Sequence, residues 1–353
     1  MASVLLCDYP NPDGQARLQA LRRLGHDVVF FNHQASTLGG PVARPARTLA
    51  RSLGPLSRPL RALGGRWVTS RRLLLECERT RPDIVLVVKG TELRAGVLRA
   101  IKRRVNPLLV NWFGDSLLTP GIRAFVERDS AVYDFFFVID DERALARVAV
   151  RAAHVATLPF ACDPEFHRPV SLTAEERAVF GSPVAFVGTV IPSRENVLAA
   201  VAEFGLKIWG PPRSPWAIWA TDGSPLTPHW QGRAAYGLDA VKVYNASDIV
   251  LDIHFAFGQA LPICNVTARV FEVPACGGFL LTNAAEPLER LYAIGREMVT
   301  YRSVDELRRL IAHYLAHPDE RRRLALAAHK RARSEHTFEE RLREMFGHLE
   351  RKA

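Results

Sequence analysis

The chain has 353 residues, 48% apolar and 24% charged, which is ordinary for a globular protein and long enough for two domains. Lysines and arginines outnumber acids 47 to 37, and the formal charge of +10 asks for an anionic partner such as a nucleotide, a phosphorylated acceptor or a membrane surface. No apolar run approaches the roughly 18 residues of a membrane span, the first residues lack the basic and apolar regions of a leader, and the five cysteines form no C-x-x-C pair, so the expectation is a cytoplasmic protein with reduced thiols.

In chain order, Ser3–Cys7 reads as a strand, Gln15–Leu24 as an amphipathic helix closed by Gly25, and Asp27–Phe31 as a second strand. This opening implies a parallel pair with a right-handed crossover. The loop from Asp8 to Gly14 then lies where ligands of parallel sheets gather, which makes Asp8 a candidate cleft residue, although no G-x-G-x-x-G is present. From His33 to Leu75 there are eight arginines and no acid, with Leu49, Leu53, Leu56, Leu60 and Leu63 at three- and four-residue steps. Residues 38–75 are therefore a basic insert, either a solvated surface or a docking element for an anionic membrane or acceptor.

Strand patterns resume at Ile84–Val88, Leu108–Trp112 and Asp134–Ile139, separated by helical patterns at Leu93–Arg104 and Gly121–Arg128. Apolar throughout, such strands suit a parallel sheet covered on both faces. Lys89, Asp115, Asp140 and Asp141 follow them, and Asp115 in NWFGDS is the candidate catalytic carboxylate for an acceptor hydroxyl, although aspartate there is also an ordinary loop ligand or N-cap. After a last strand, His154–Pro159, the chain becomes proline-punctuated. The expected division is a first domain over 1–165, a linker over 166–183, a second domain over 184–336 and a terminal helix over 337–353.

The second domain opens with strand Val184–Gly188, the loop TVIPSREN and a helix over Val197–Phe204. Arg194 in that loop is a candidate pyrophosphate ligand, since a guanidinium offers paired donors to phosphate oxygens. Strand Leu206–Gly210 leads into PPRSPWAIW, expected near a nucleotide base, and Tyr244 and Asn245 precede strand Ile249–Ile253 and His254. Gly188 and Gly210, at strand ends, join Tyr244 and Asn245 as donor-site candidates, and His254 and Lys89 join Asp8 as cleft candidates. Helical patterns at Val304–Ala316, Pro318–Ser334 and Phe338–Leu349 complete the chain.

Asn265–Asn283, NVTARVFEVPACGGFLLTN, reads as loop, helix, Gly-Gly stop and strand Phe279–Thr282. Arg269 and Glu272 lie three apart and share a helix face near its start, either as a surface ion pair or as ligands. With Thr267, a helix start and Arg269 suit a diphosphate, and a carboxylate suits paired sugar hydroxyls. Pro274 makes the helix short or kinked.

The run RVFEVPACGGFLLTN and the helical tail after it resemble the CgeB-like glycosyltransferases, relatives of the family 4 group, from about Val184 to Met345. The resemblance implies a GT-B fold, two Rossmann-like α/β domains facing across a cleft, with the last helix crossing back to the first domain. It also implies ribose binding by Glu272 and donor binding in the second domain. An acid common eight positions upstream is replaced here by Cys264. No D-x-D, P-loop, serine-hydrolase or zincin motif occurs, so no metal or other cofactor is expected. Arg194, Arg269 and helix-start amides are left to neutralise the leaving diphosphate. The expectation is transfer of a hexose from a nucleoside-diphosphate sugar, in particular a UDP-sugar, to a hydroxyl acceptor, with peripheral contact to an anionic membrane and no nucleic acid. The alternatives are a sugar-nucleotide epimerase of the same fold and a basic docking module without turnover.

Overall fold

Apolar strings of Val, Leu, Ile and Phe are buried on both faces here and build two all-parallel sheets, as such composition demands. The computed structural model describes residues 1–33, 57–119, 121–211, 224–254 and 263–351. The chain divides into two units, Met1–Pro159 with Leu342–Ala353, and Phe160–Arg341.

The first unit holds β1 (Ser3–Asp8), β2 (Asp27–Asn32), β3 (Ile84–Val88), β4 (Leu108–Phe113), β5 (Phe135–Val138) and β6 (His154–Thr157), in the order β2-β1-β3-β4-β5-β6. The second holds β7 (Val184–Val187), β8 (Leu206–Trp209), β9 (Ile249–Asp252), β10 (Leu280–Asn283) and β11 (Val299–Tyr301), in the order β11-β10-β9-β7-β8. In each, the strand order reverses beside the first strand, between β1 and β3 and between β7 and β9. Ligands of doubly wound sheets bind at such points, outside the carboxyl ends of the strands.

Ten strands lie within two residues of the sequence expectation at either end; β11, three residues long, carries too little pattern to be read. Helix Leu238–Ala246 was hidden because its buried Val241, Val243 and Tyr244 interleave with polar residues. The stretch expected as a linker belongs to the second unit. It contains helix Ala174–Phe180, whose Thr173 and Glu176 form a reciprocal capping box, and Phe180 stacks on Trp209 with ring centroids 5.4 Å apart. Within the last helix, Phe338–Glu350, residues from Leu342 onward belong to the first unit, where Phe346 stacks on His26 at 4.1 Å.

Residues 34–56, which include the first half of the basic insert, lie outside the described residues. Its remainder enters helix Ser57–Thr80, which buries Leu73 and Cys77 and exposes Trp67, Val68, Arg71 and Leu75. Among the described residues no helix is long and apolar enough to cross a membrane. All five cysteines are buried free thiols.

Candidate active site

The carboxyl end of the second sheet is organised by a residue that sequence reasoning passed over. Asp252 ends the apolar strand β9 and is fully buried. Thr267 donates its hydroxyl to Asp252 Oδ2 at 2.8 Å, and Arg269 Nε donates to Oδ1 at 2.7 Å. Burial would raise the Asp252 pKa, but Arg269, His254 and the Thr267 hydroxyl hold it well below the usual carboxylate range. An acid closing an apolar strand is the one signal that pointed to it.

Arg269 joins the two strands that flank the switch point, because Nη1 also donates to the Val187 carbonyl at the end of β7, 2.9 Å away. Burial acts to lower its pKa, yet Asp252 outweighs this and the net shift is upward, so the guanidinium is firmly charged. Nη2 has no hydrogen-bond partner among the described residues. Gly188 allows this arrangement: its φ is +153°, and a Cβ there would stand 3.1 Å from Arg269 Nη1.

Arg194 faces inward rather than outward. Its Nε and Nη2 donate to the Ile253 carbonyl at 3.0 and 2.8 Å, and Nη1 to that of Thr189 at 2.8 Å. Burial first, and then Arg269, lower its pKa to about 10, still charged at neutral pH. It thus braces the loop after β7 against the end of β9. His254 is buried there too, its backbone N–H donating to Asn283 Oδ1 at 2.6 Å and its Nε2 lying 3.1 Å from Thr282 Oγ1. Burial, with Arg269 and Arg194 acting against Asp252, lowers its pKa and keeps the ring neutral. Its Nδ1 stands 3.4 Å from Asp252 Oδ2 without forming a hydrogen bond. Two guanidiniums against one carboxylate leave this cluster with net positive charge.

Helix Arg269–Ala275 has only seven residues. Pro274 cannot donate to the Val270 carbonyl one turn earlier, and the Tyr292 hydroxyl takes that place at 3.0 Å. Phe271 is fully buried, edge-on to His336 at 5.5 Å, and His329 Nδ1 lies 3.0 Å from the Pro274 carbonyl, so the short helix is fixed to helix Pro318–Glu335 and its end. Its first amides serve the helix itself: Val270 N donates to Thr267, and Phe271 and Glu272 N to Ala268. The helix-start amides expected to meet the diphosphate are thereby mostly engaged, which concentrates that task on Arg269. Glu272 is half-buried and accepts from the Tyr244 hydroxyl at 3.1 Å. Gly278 closes the unit; a Cβ there would meet the Tyr244 carbonyl at 2.8 Å.

Of the other candidates, Tyr244 supports Glu272, but Asn245 is turned away. Its side chain accepts from Val170 N at 2.9 Å and donates to the carbonyls of Arg168 at 3.1 Å and Val241 at 2.9 Å, because it sits at a helix end facing the chain entering the unit. Asn245 is therefore corrected from a donor ligand to an internal clamp. Gly210 directly follows β8, and its carbonyl accepts from Trp230 Nε1 at 2.9 Å. All of PPRSPWAIW after its first proline, 212–219, lies outside the described residues. Cys264 is buried.

In the first unit, Asp8 is likewise corrected. Fully buried, it accepts from Arg17 Nε at 2.7 Å and Nη2 at 3.2 Å and from Tyr9 N at 2.7 Å, which uses both oxygens internally. Lys89 and Asp115 come together across the ends of β3 and β4 at 2.7 Å, about a third exposed each. Asp115 is thus an acid paired with a lysine.

Residues 194–347 match a family described as Glycosyl transferase-like. Spore protein CgeB of Bacillus subtilis is 25% identical over 280 residues, 76% of this chain and 83% of that protein. Among solved structures, sucrose-phosphate synthase of Thermosynechococcus elongatus superposes with a TM-score of 0.67 at 14% identity, over 100% of this chain and 99% of the other. HepE of Anabaena in complex with UDP-glucose superposes with a TM-score of 0.62 at 13% identity, over 99% and 100%. The fold is GT-B, and the similarity to CgeB and to the Glycosyl transferase-like family agrees with the resemblance read in the sequence.

Proposed function

We propose that the protein transfers a hexose from a UDP-sugar to a hydroxyl acceptor without a metal ion, the nucleotide lying at the carboxyl ends of β7, β9 and β10. The observation that carries this is Arg269, a largely buried guanidinium, its side chain 15% exposed, aligned by Asp252 and Val187 with one nitrogen uncommitted among the described residues. A diphosphate gains charge as the glycosidic bond breaks, and a cation held in place beforehand stabilises it without reorganising. Arg194 adds a second positive charge to that corner, and His254 stays neutral there. Glu272, steadied by Tyr244, is the carboxylate for the ribose hydroxyls. The UDP-glucose and UDP complexes of HepE support UDP as the nucleotide.

The acceptor side has weaker chemistry on view: helix Ser57–Thr80 turns Trp67, Val68, Arg71 and Leu75 outward, with the Arg71 guanidinium 5.3 Å over the Trp67 ring. This supports reversible contact with an anionic membrane or acceptor, checked by sedimentation with phosphatidylglycerol vesicles. Calorimetric titration with UDP in EDTA tests the donor reading. Micromolar binding that Arg269→Ala weakens at least tenfold is expected; binding or turnover that appears only with Mn²⁺ would refute metal independence. An epimerase of the same fold would return an isomeric sugar nucleotide instead of UDP and a glycoside.

A further inference from the structure

The second unit carries an open cavity of about 380 Å³ at the amino ends of β9 and β10, which the donor reading does not use. Ser247 and Asp248, leading from helix Leu238–Ala246 into β9, form one wall, and Cys276, Gly277 and Gly278, leading from helix Arg269–Ala275 toward β10, form another. Helix Pro318–Glu335 supplies Arg321, Arg322 and Ala325, and Pro169 closes the ring. The donor groups sit at the other ends of these four-residue strands, roughly 13 Å away at about 3.3 Å per residue.

Its walls are fixed. Asn245 accepts from Val170 N at 2.9 Å and donates to the Arg168 carbonyl at 3.1 Å, so it holds both neighbours of Pro169. Arg321 pairs with Asp248 and donates through Nη1 to the Tyr314 carbonyl at 2.5 Å, which ties the long helix to the start of β9. Gly277 has φ +76°, and a Cβ there would stand 3.5 Å from Pro169 Cγ, so the glycine leaves that side clear. The charges are unevenly spent. Arg321, its side chain 12% exposed, and Asp248 neutralise each other, whereas Arg322 is a surplus cation. Its Nη2 donates to Asp319 Oδ1 at 2.8 Å, but with the two side chains 70% and 96% exposed such a pair holds weakly, and Nε and Nη1 have no hydrogen-bond partner among the described residues.

We propose that this cavity is a second ligand site, for a small organic monoanion whose carboxylate meets Arg322 and whose apolar body lies against Pro169, Phe279 and Ala325. A preformed cavity of this volume, with apolar walls and a few convergent polar groups, is the form small-molecule sites take. Cys276, Phe279 and Ala325 line it while otherwise buried, and an apolar body covers what they leave open. One surplus cation matches one negative charge. A dianion such as phosphate lacks a second free cation and faces Asp248, and a cationic ligand finds Asp248 already taken by Arg321. Arginine also suits the task because it keeps its proton beside a carboxylate. Such a site is independent of the donor reading and stands if that reading falls.

Saturation-transfer difference NMR on the full chain tests this, with benzoate as probe and benzamide as its neutral counterpart. In wild type the benzoate ring protons should be saturated at least fivefold more than those of benzamide. Arg322→Gln, which removes the charge, and Ala325→Leu, which fills the cavity, should each reduce the benzoate signal at least fivefold, and Arg269→Ala should leave it unchanged. Arg322 is exposed, so Arg322→Gln remains informative if Ala325→Leu does not fold. No benzoate signal in wild type, an equal signal from benzamide, a signal that survives Arg322→Gln, or one lost in Arg269→Ala would overturn the proposal. Absence of UDP binding with the benzoate pattern intact would instead remove the donor reading and leave this site standing.

Discussion

Each sheet ends a strand at its switch point on a fully buried aspartate that grips an arginine, Asp8 with Arg17 and Asp252 with Arg269, and the two pairs do different things. Asp8 takes Arg17 through two nitrogens and accepts from the Tyr9 amide as well, and the guanidinium lies 5.7 Å over the Trp112 ring, so that pair is spent on the interior of its own unit. Asp252 instead shares its oxygens between Thr267 and Arg269, and Arg269 divides its nitrogens between Asp252 and a neighbouring strand. A closed pair stabilises a fold; a shared one also aims a cation. Buried ion pairs are thus poor indicators of function until the unspent donors are counted.

The largest expected effect separates the two. Asp252→Asn should destabilise the protein by about 3–5 kcal/mol, since it leaves a largely buried guanidinium without its counter-ion, and should also abolish UDP binding. Asp8→Asn should cost about as much in urea unfolding and leave UDP affinity in calorimetry untouched. Arg269→Lys, which keeps charge but loses the divided hydrogen bonds, should weaken UDP by about 2–3 kcal/mol, whereas Arg17→Lys should not change it. Glu272→Gln should reduce UDP affinity by about 1–3 kcal/mol with an unchanged melting temperature; equal affinity would remove the ribose role.

Acid unfolding sharpens the contrast with a smaller signal. The Asp252 pKa is depressed on folding, so its contribution is complete above the unfolded value near 4 and is lost as pH falls below it. His336, with Nε2 2.9 Å from the Leu291 carbonyl and Nδ1 3.1 Å from Arg341 Nη2, is pushed down to about 4 by burial first, with Arg341 and Arg331 adding to the effect. Its folded state favours the neutral ring, so stability should decline as pH falls from about 6.5 toward 4. Urea titrations across pH should show both limbs, and His336→Gln should flatten the upper one.

The sheets were legible because strands covered on both faces are written as uninterrupted apolar strings, IVLVV and VAFV among them. The motif helix was legible from Gly277, Gly278 and Pro274, residues whose backbone restrictions act locally. What stayed hidden depends on contacts between distant segments. Asn245 looked like a ligand because its partners, Val170 and Arg168, are 75 and 77 residues away. Arg194 looked like a phosphate donor for the same reason, its carbonyl partner Ile253 lying 59 residues on. Sequence reading placed Arg269 and Glu272 on one face but could not say that Asp252 would anchor the first and Tyr244 the second.

A crystal structure of the full chain soaked with UDP tests the central claim most directly. The account predicts the diphosphate within hydrogen-bond distance of Arg269 Nη2, the ribose hydroxyls on Glu272, and Arg194 still bound to the Ile253 and Thr189 carbonyls. A diphosphate bound away from Arg269, or an Arg269 that keeps Asp252 and Val187 as its sole partners while UDP occupies another part of the second unit, would contradict it.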